Sequence, residues 1–422
     1  MTRAAVVRQG GSAAQVASSQ LALAASNYVV LAIAARNLDA AGLAAVTSYY
    51  LLINTVGRGL FAAVELETTR AVASARAAGL DDAPARRAAL SHTGMLLVGA
   101  FVLLGLSSPL IGGIMGSGSS AIVLLAVGAV GMAASYLLRG PLAGARRYGL
   151  YAATFWLEAG VGLVAALTLV LLGDRDTTWW IAVLALAPLV AAAVLARPAL
   201  RSTPAGTVAG PGTAVPETGS ALRAVVWSAA LLLAGQGVWN LAPVVVTSRL
   251  TDAPAVAAGF VTVAVILRAP VLFFPSVQAL LLPMFAAMER TGDDAALRRT
   301  TRRLGTALLV AGVVWGAIAV FVVPTVSHLV FGATITPPTW VLAGLAASTV
   351  VGAAAQIGQT HLVAVRRPAA AAVAWIAGLA VLLVVALLAA PPLTAATVGQ
   401  MVGALVVLIV LSVVRRRIRA TP

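Results

Sequence analysis

The sequence contains no cysteine and no lysine, and only three histidines: His92, His328 and His361. The lack of cysteine excludes disulfide bonds and thiol chemistry. The histidines are widely separated, so they do not suggest a metal site. Glycine-rich nucleotide loops and ATPase signatures are also missing. We therefore predict no metal, no cofactor and no direct use of ATP.

Charge is scarce as well. Charged residues make up 10% of the chain, hydrophobic residues make up 61%, and the mean hydropathy is +1.00. Long apolar runs recur along the whole sequence, whereas the polar–apolar alternation of a membrane β-barrel does not occur. The composition therefore predicts an all-α polytopic membrane protein.

About twelve apolar stretches approach the ~20 residues that a helix needs to cross a bilayer. They are predicted at 13–35, 42–63, 92–112, 119–138, 149–172, 178–196, 224–247, 255–282, 304–325, 339–362, 369–389 and 394–414.

All 28 basic residues are arginine, and their distribution predicts the topology. With a cytoplasmic N-terminus, 23 arginines lie in inside segments and three lie in outside loops, namely Arg36, Arg175 and Arg249. This bias follows the positive-inside rule, which explains the net charge of +15 more simply than a nucleic-acid partner does. We expect a multi-pass protein of the bacterial cytoplasmic membrane with both termini in the cytoplasm.

The stretch 197–223 is rich in proline, glycine, serine and threonine, and it has no apolar run. Such a composition is typical of a flexible linker, here on the cytoplasmic side. It divides the chain into predicted bundles of six spans each, at 1–196 and 224–422.

The two halves echo each other. Asn27 recurs as Asn240 after 213 residues, and the pair Asp81-Asp82 recurs as Asp293-Asp294 after 212 residues. Six spans return the chain to its starting side, so both halves enter the membrane in the same direction. The echo therefore predicts a parallel repeat with a pseudo-twofold axis along the membrane normal. The acid pairs are interpreted as helix-capping loops, because no second acidic cluster accompanies them to hold magnesium.

Two arginines, Arg58 and Arg268, lie inside predicted spans. Glu65 follows Arg58 by two helical turns on the same face, so Arg58 either reaches the inner interface beside Glu65 or faces a polar cavity. Arg268 lies ~20 Å along its helix and next to Pro270. It either faces the cavity or contacts a carbonyl of a neighbouring helix. Both arginines are candidate substrate-binding residues.

Glu158 is the one acid well inside a predicted span. It is a candidate for proton coupling, with three alternatives: a counter-ion to Arg58, part of the substrate site, or a protonated core residue. Asn27, Gln236 and Asn240 place polar groups on the first and seventh spans. They either line a substrate cavity or hydrogen-bond neighbouring helices.

Several short motifs resemble the polysaccharide transporters of the multidrug/oligosaccharidyl-lipid/polysaccharide exporter superfamily. After the first span the family pattern is A-R-x-L followed by a glycine, and in the second half it is a-G-x-y, l-R-x-P, l-P and g-d. The matching residues are Ala35-Arg36-Asn37-Leu38 with Gly42, then Ala258-Gly259-Phe260, Leu267-Arg268-Ala269-Pro270, Leu282-Pro283 and Gly292-Asp293.

The resemblance implies two six-helix bundles that work by alternating access. It also implies the export of a polysaccharide precursor, such as a polyprenyl-diphosphate oligosaccharide, for cell-surface polysaccharide biosynthesis. Cationic cavity residues in that family suit Arg58 and Arg268 as diphosphate ligands. Expected partners are the lipid-linked saccharide, membrane lipids and other polysaccharide-assembly proteins.

Three other functions are compatible with parts of the sequence. A cation-coupled multidrug exporter of the same fold often carries an acid in its first helix, and 13–35 contains none. A membrane glycosyl polymerase or ligase usually needs a large outer loop, whereas every predicted outer loop is short. The sequence does not exclude a channel or a scaffold. We expect a transporter, not an enzyme.

Overall fold

A computed structural model describes residues 3–115, 119–200, 218–291, 293–365 and 367–420, and all regular structure in these ranges is helical. The α-helices are α1 Arg3–Asn37, α2 Ala40–Val56, α3 Ala62–Ala77, α4 Ala83–Leu106, α5 Ser108–Met115, α6 Ser119–Gly144, α7 Tyr148–Leu172, α8 Thr177–Leu200, α9 Thr218–Arg249, α10 Pro254–Leu267, α11 Phe274–Thr291, α12 Asp294–Phe321, α13 Val323–Phe331, α14 Thr339–Ala364, α15 Pro368–Leu388 and α16 Pro392–Ala420. A π-helical turn, Gly57–Phe61, joins α2 to α3, and a 3-10 turn, Ala269–Phe273, follows α10.

Within the described residues, twelve helical segments are long and apolar enough to cross a membrane, which confirms the predicted all-α class and number of spans. They are Ala14–Asn37, Ala40–Ala77, Ala83–Leu106, Ser120–Gly144, Tyr148–Leu172, Thr177–Ala199, Leu222–Arg249, Pro254–Phe273, Ala295–Phe321, Thr339–Ala364, Pro368–Leu388 and Pro392–Arg417. The chain is a multi-pass membrane protein.

The third and ninth spans begin about nine residues before their predicted starts, at Ala83 and Ala295. Polar signals at the two helix starts explain the difference. Asp82 and Pro84 open α4, and the Asp293 carboxylate accepts a hydrogen bond from the Ala296 amide at the start of α12. Acid and proline residues favour these positions, so each helix starts at its cap and carries arginines in its first turns. The predicted capping role of the acid pairs is confirmed for Asp293.

The eighth span was predicted as one helix over 255–282, and that prediction is wrong. The α-helix ends at Leu267, the chain continues as a 3-10 turn, and α11 begins at Phe274. Pro270 lies in the turn and has no amide hydrogen to donate to the preceding helical carbonyls, which explains the break.

The second span of each half contains a non-α turn at the same place in the repeat. Position 269, where the 3-10 turn begins, lies 212 residues after position 57, where the π-helical turn begins. This is the offset that separates the two acid pairs. Arg58 lies within the first turn, and Arg268 lies directly before the second. The two arginines therefore share a structural setting, although the sequence offset does not align them.

The chain forms two compact units. Unit 1 comprises Met1–Leu38 and Ile53–Leu232, and unit 2 comprises Asp39–Leu52 and Leu233–Pro422. The division differs from the predicted bundles chiefly in Asp39–Leu52, because the first part of α2 packs within unit 2. For example, the Ser48 hydroxyl bonds the Thr247 hydroxyl of α9 at 3.2 Å.

Both ends of the predicted linker 197–223 are helical. At its start α8 continues to Leu200, and at its end α9 begins at Thr218. The rest of the linker, 201–217, lies outside the described residues.

Small residues allow helices to pack closely, as between α15 and α16. A Cβ atom added to Gly378 would lie 2.6 Å from the Gly403 carbonyl oxygen, and one added to Gly403 would lie 2.8 Å from the Gly378 oxygen. Because lipid tails are as apolar as leucine, such backbone proximity is a principal source of helix–helix affinity in a membrane.

Candidate functional site

Arg268 lies at the break in the eighth span. The amide of Val271 bonds the Arg268 carbonyl at 2.9 Å, in 3-10 geometry. The Leu267 carbonyl therefore loses its α-helical partner. It accepts instead from the Trp315 indole at 3.1 Å and the Thr349 hydroxyl at 3.2 Å. These two contacts satisfy the broken backbone and fix the point from which the Arg268 side chain extends.

The Arg268 side chain is buried, and the whole residue is 9% exposed. One terminal nitrogen, Nη1, donates to the Asn240 side-chain oxygen. The Asn240 amide in turn donates to the Gln236 oxygen at 3.3 Å. The guanidinium carbon lies 5.4 Å from the centre of the Tyr50 ring. Neutral amides and an aromatic ring therefore orient Arg268, and these partners leave its positive charge in place.

The opposite edge of the Arg268 guanidinium has no partner among the residues that the structure describes. Its Nε is buried without a hydrogen-bond acceptor, and neither Nε nor Nη2 bonds any residue in the described part of the chain. No carboxylate among those residues forms an ion pair with Arg268 either. An Nε–Nη2 edge presents two parallel N–H groups, the geometry that binds a carboxylate or phosphate through two oxygens. This edge of Arg268 therefore has a geometry that suits an anion.

Unit 1 contains a different buried arginine, Arg139. Its Nη2 donates to Glu158 at 2.7 Å and its Nε donates to the Thr154 hydroxyl at 2.9 Å. The Phe155 ring centre lies 3.9 Å from the guanidinium carbon. Arg139 and Glu158 are 2% and 7% exposed, so they form a buried, mutually neutralising pair.

This pairing bears on the alternatives for Glu158. The residue is a counter-ion, as one alternative held, but its partner is Arg139 and not Arg58. The arrangement suits a structural role, because each member of the pair offsets the cost of burying the other's charge. The coupling role stays a prediction.

The expected pairing of Arg58 with Glu65 is not formed. The Glu65 carboxylate accepts from the Tyr151 hydroxyl at 2.7 Å, since α3 and α7 bring these two side chains together. Arg58 is half-buried on the π-helical turn, where its charge acts on the Tyr136 hydroxyl. Its guanidinium makes no hydrogen bond or ion pair within the described residues. Extra-residue turns of this kind often occur at functional sites.

The structure thus brings three of the predicted site residues together: Gln236, Asn240 and Arg268 form one chain of contacts within unit 2. Asn27 lies half-buried on α1, and its side chain makes no hydrogen bond within the described residues.

Sequence reasoning missed two participants, Arg139 and Tyr50. A fourth span that ends at position 138, as predicted, leaves Arg139 in a cytoplasmic segment, whereas α6 continues to Gly144. The signal was present: apolar residues resume after Arg139, so it interrupts an apolar run and does not end it. No pattern in the sequence pairs Tyr50 with Arg268, because their contact depends on tertiary packing.

Metal ligands do not cluster in this chain, as far as it is described. No group of three or more histidine, aspartate or glutamate side chains converges there. The chemistry that the described residues offer is therefore charge and hydrogen bonding, supplied mainly by guanidinium groups.

Comparison with solved structures identifies the fold of the chain. No family model and no curated relative matches the sequence. The inward-facing structure of a multidrug resistance MATE family transporter of the MOP superfamily aligns with a TM-score of 0.69 and 14% identity, covering 96% of this chain and 99% of that one. The chain has the fold of the MATE transporters.

Two further solved structures share this fold. A eukaryotic MATE transporter aligns with a TM-score of 0.64 and 14% identity, covering 97% of this chain and 95% of that one. An outward-facing structure of a multidrug resistance MATE family transporter aligns with a TM-score of 0.56 and 16% identity, covering 97% and 96%. The MATE fold accounts for the twelve spans, and at these identities the substrate has to be argued from the residues themselves.

Proposed function

We propose that this chain is a transporter that moves an anionic, lipid-linked saccharide across the membrane by alternating access. Two observations support transport: the twelve apolar spans, and a fold shared with transporters whose solved structures show inward-facing and outward-facing conformations. The motifs around Arg36 and Arg268, which resemble polysaccharide transporters, support the saccharide class. The product would serve cell-surface polysaccharide biosynthesis.

The observation that carries the substrate class is the unpartnered edge of Arg268. A buried guanidinium costs roughly 3 kcal/mol at the centre of a membrane helix on insertion scales. A partner acid would reduce this cost, yet the described residues supply only Asn240 and Tyr50. The free-energy cost of burying the Arg268 charge is not offset in the protein without substrate, and it is offset when an anion binds. A diphosphate matches the requirement, because its oxygens accept two parallel N–H groups.

Arg58 is the second anion ligand in this proposal. It lies on the corresponding second span of the other repeat, next to an irregular turn, and Glu65 does not neutralise it. Because that acid is held by Tyr151, we expect Arg58→Ala to impair transport as well.

The test uses the purified full-length chain in vesicles that contain a fluorescent polyprenyl-diphosphate saccharide. Dithionite added outside bleaches only the outer leaflet, so the rate of further bleaching reports transport. Loss of a charged hydrogen bond costs about 1.5–3 kcal/mol, so Arg268→Ala should slow transport about ten- to hundredfold with normal abundance. Arg268→Lys should restore part of the rate, since lysine keeps the charge and loses the planar fork.

The matched control is Arg175→Ala, which removes an exposed arginine that makes no hydrogen bond or ion pair within the described residues. It should transport at the wild-type rate. If Arg268→Ala accumulates and transports normally, Arg268 is not the anion ligand and the proposal fails. A purely structural role would instead give less folded protein, with the remaining molecules fully active.

A second candidate is multidrug export, favoured by the fold shared with multidrug resistance transporters. An un-neutralised arginine would repel a cationic drug. Uptake of a cationic dye into inverted vesicles that is unaffected or improved by Arg268→Ala, together with no movement of the diphosphate lipid, would favour this candidate over the first.

A further inference from the structure

Unit 1 has an apolar groove of about 520 Å³ on the surface of α1, α7 and α8. It is lined by small residues of α7, Gly149 and two alanines, and by Trp156 of the same helix. Gln15 of α1 and Leu195 of α8 also line it. Trp156 is 52% exposed although it belongs to a membrane-spanning helix, so a molecule outside the protein can reach the groove. Its volume lies within the range of ligand-binding pockets.

Basic residues lie beside one end of this groove. Arg146 precedes Gly149 by three residues, and Arg197 follows Leu195 by two. The guanidinium of Arg147 donates to the backbone oxygens of Pro198 at 2.8 Å and Ala199 at 3.0 Å, which ties the start of α7 to the end of α8. Arg146 and Arg197 therefore belong to the same end of the unit.

The two outer arginines are available for a ligand. Arg146 and Arg197 are exposed, and neither guanidinium makes a hydrogen bond or ion pair with any residue in the described part of the chain. Gln15, which lines the groove, is exposed as well and adds an amide. An apolar groove whose lining residues Gly149 and Leu195 have Arg146 and Arg197 within three residues along the chain is complementary to one kind of molecule, an amphiphile with an acidic headgroup.

We propose that this groove binds an anionic phospholipid of the surrounding bilayer, with an acyl chain against Trp156 and the phosphate beside Arg146 and Arg197. Arginine next to a membrane surface attracts acidic lipids, and the attraction is greatest where the headgroup approaches closely. The site involves none of the residues assigned to transport, so the proposal is independent of the function proposed above.

The experiment uses Trp156 as the reporter. The full-length chain is reconstituted in phosphatidylcholine vesicles that contain a minority of phosphatidylglycerol, and the acyl chains of one lipid or the other are brominated. Bromine quenches tryptophan on contact. The same measurement on Trp156→Phe isolates the signal of Trp156 from that of the other tryptophans. The ratio of quenching by the two lipids then gives the preference of the groove for the acidic lipid.

We expect phosphatidylglycerol to be enriched at Trp156. Arg146→Gln and Arg197→Gln should each lower the preference about fivefold, the value for one arginine at a membrane surface. Gly149→Leu should abolish the enrichment by filling the groove; a Cβ at Gly149 meets nothing within 4 Å, so the variant should fold.

The matched controls are Arg87→Gln and Gly160→Leu. Arg87 is another exposed arginine, and Gly160 is an exposed glycine of α7 with equal free space and no part in the groove. Both should leave the preference unchanged. Equal quenching by the two lipids in the wild type, or a preference that survives the Arg146→Gln/Arg197→Gln double variant, would overturn the proposal. Preferential displacement of the acidic phospholipid by polyprenyl phosphate would assign the groove to that carrier and overturn it too.

Discussion

Two arginines are buried among the described residues, Arg139 and Arg268, and they lie in contrasting surroundings. In unit 1, Arg139 faces Glu158 at 2.7 Å, and both side chains are almost completely buried. In unit 2, Arg268 is also buried, but it contacts the neutral Asn240 and the ring of Tyr50. One guanidinium is neutralised within the protein and the other keeps its charge.

The contrast separates a structural role from a binding role. A neutralised pair offers little to an incoming anion, because the ligand would have to displace an acid that is already in place. An arginine held by neutral groups has no such competitor. Burial alone is therefore a weak sign of function in a membrane protein, whereas burial without a neutralising partner is a strong one.

The largest expected effect comes from breaking the buried ion pair of Arg139 and Glu158 in unit 1. Glu158→Leu should destabilise the protein by about 3–5 kcal/mol, because it leaves Arg139 as an uncompensated buried charge. The measurement is the fraction of monodisperse protein that remains after heating in detergent. Arg268→Leu should cost far less in the same assay, since it removes a charge without orphaning an acid.

The matched control for this prediction replaces both partners. The double variant Arg139→Leu/Glu158→Leu should recover most of the lost stability, because an apolar pair of similar volume often replaces a buried ion pair at little cost. Stability in Glu158→Leu that equals the wild type would show that Arg139 does not depend on the acid. Loss of pH-gradient-dependent transport in a stable Glu158→Gln variant would instead support the coupling role.

Much of the architecture follows from the sequence. Apolar runs long enough to span a bilayer predict the twelve helices, since a helix satisfies its own backbone hydrogen bonds in lipid and the alternation of a barrel strand is lacking. Proline and acidic residues at α4 and α12 explain why those helices start before their apolar runs, a point that hydropathy alone does not capture. Helix capping is local chemistry, so attention to Asp82 and Asp293 could have corrected both boundaries.

The candidate site was less predictable. The arginine at 268 stands out in sequence because it interrupts an apolar span, and its link to Asn240 joins two predicted site residues. Arg58 was one alternative partner for each of two acids: for Glu65 because the two lie on one face of a helix, and for Glu158 because both are charged groups inside predicted spans. Neither pair is formed. The actual partners, Arg139 and Tyr151, come from other helices, and only packing decides which of several cations and hydroxyls an acid meets.

The next prediction concerns a substitution that gives the buried arginine of unit 2 an acidic partner, as in unit 1. Asn240→Asp gives Arg268 a carboxylate partner of almost unchanged shape, so the arginine becomes neutralised as Arg139 is. Transport of the diphosphate lipid should fall about tenfold or more, the equivalent of about 1.4 kcal/mol of anion binding. Folded abundance should change little, because a buried ion pair is often close to neutral in stability.

A double-mutant cycle provides the control for Asn240→Asp. In an Arg268→Ala background, the change at 240 should have almost no further effect on transport, since residues that act together are not additive. Full transport in the single variant Asn240→Asp would show that the charge of Arg268 is not what the substrate requires, and the comparison with Arg139 would lose its functional meaning.

The smallest expected effect concerns the acid pairs at the starts of α4 and α12. They provide a second comparison between the two units. In unit 1, Asp82 accepts from Arg76 at 2.8 Å and Arg86 at 3.2 Å, whereas Asp293 in unit 2 caps the Ala296 amide. Partial burial by itself would raise the pKa of Asp82, but the hydrogen bonds and charges of the two arginines outweigh it and lower the pKa below its ordinary value.

Asparagine distinguishes these two roles, because it caps a helix as well as aspartate does but carries no charge. Asp82→Asn should cost about 1 kcal/mol or less at neutral pH, and Asp293→Asn should cost almost nothing. The stability from Asp82 is present above the unfolded pKa of about 3.9 and is lost as the pH falls through the lower folded-state pKa. Thermal midpoints of wild type and Asp82→Asn should therefore differ at neutral pH and converge in strong acid. A constant difference across that range would mean that Asp82 acts through its shape and not through its charge.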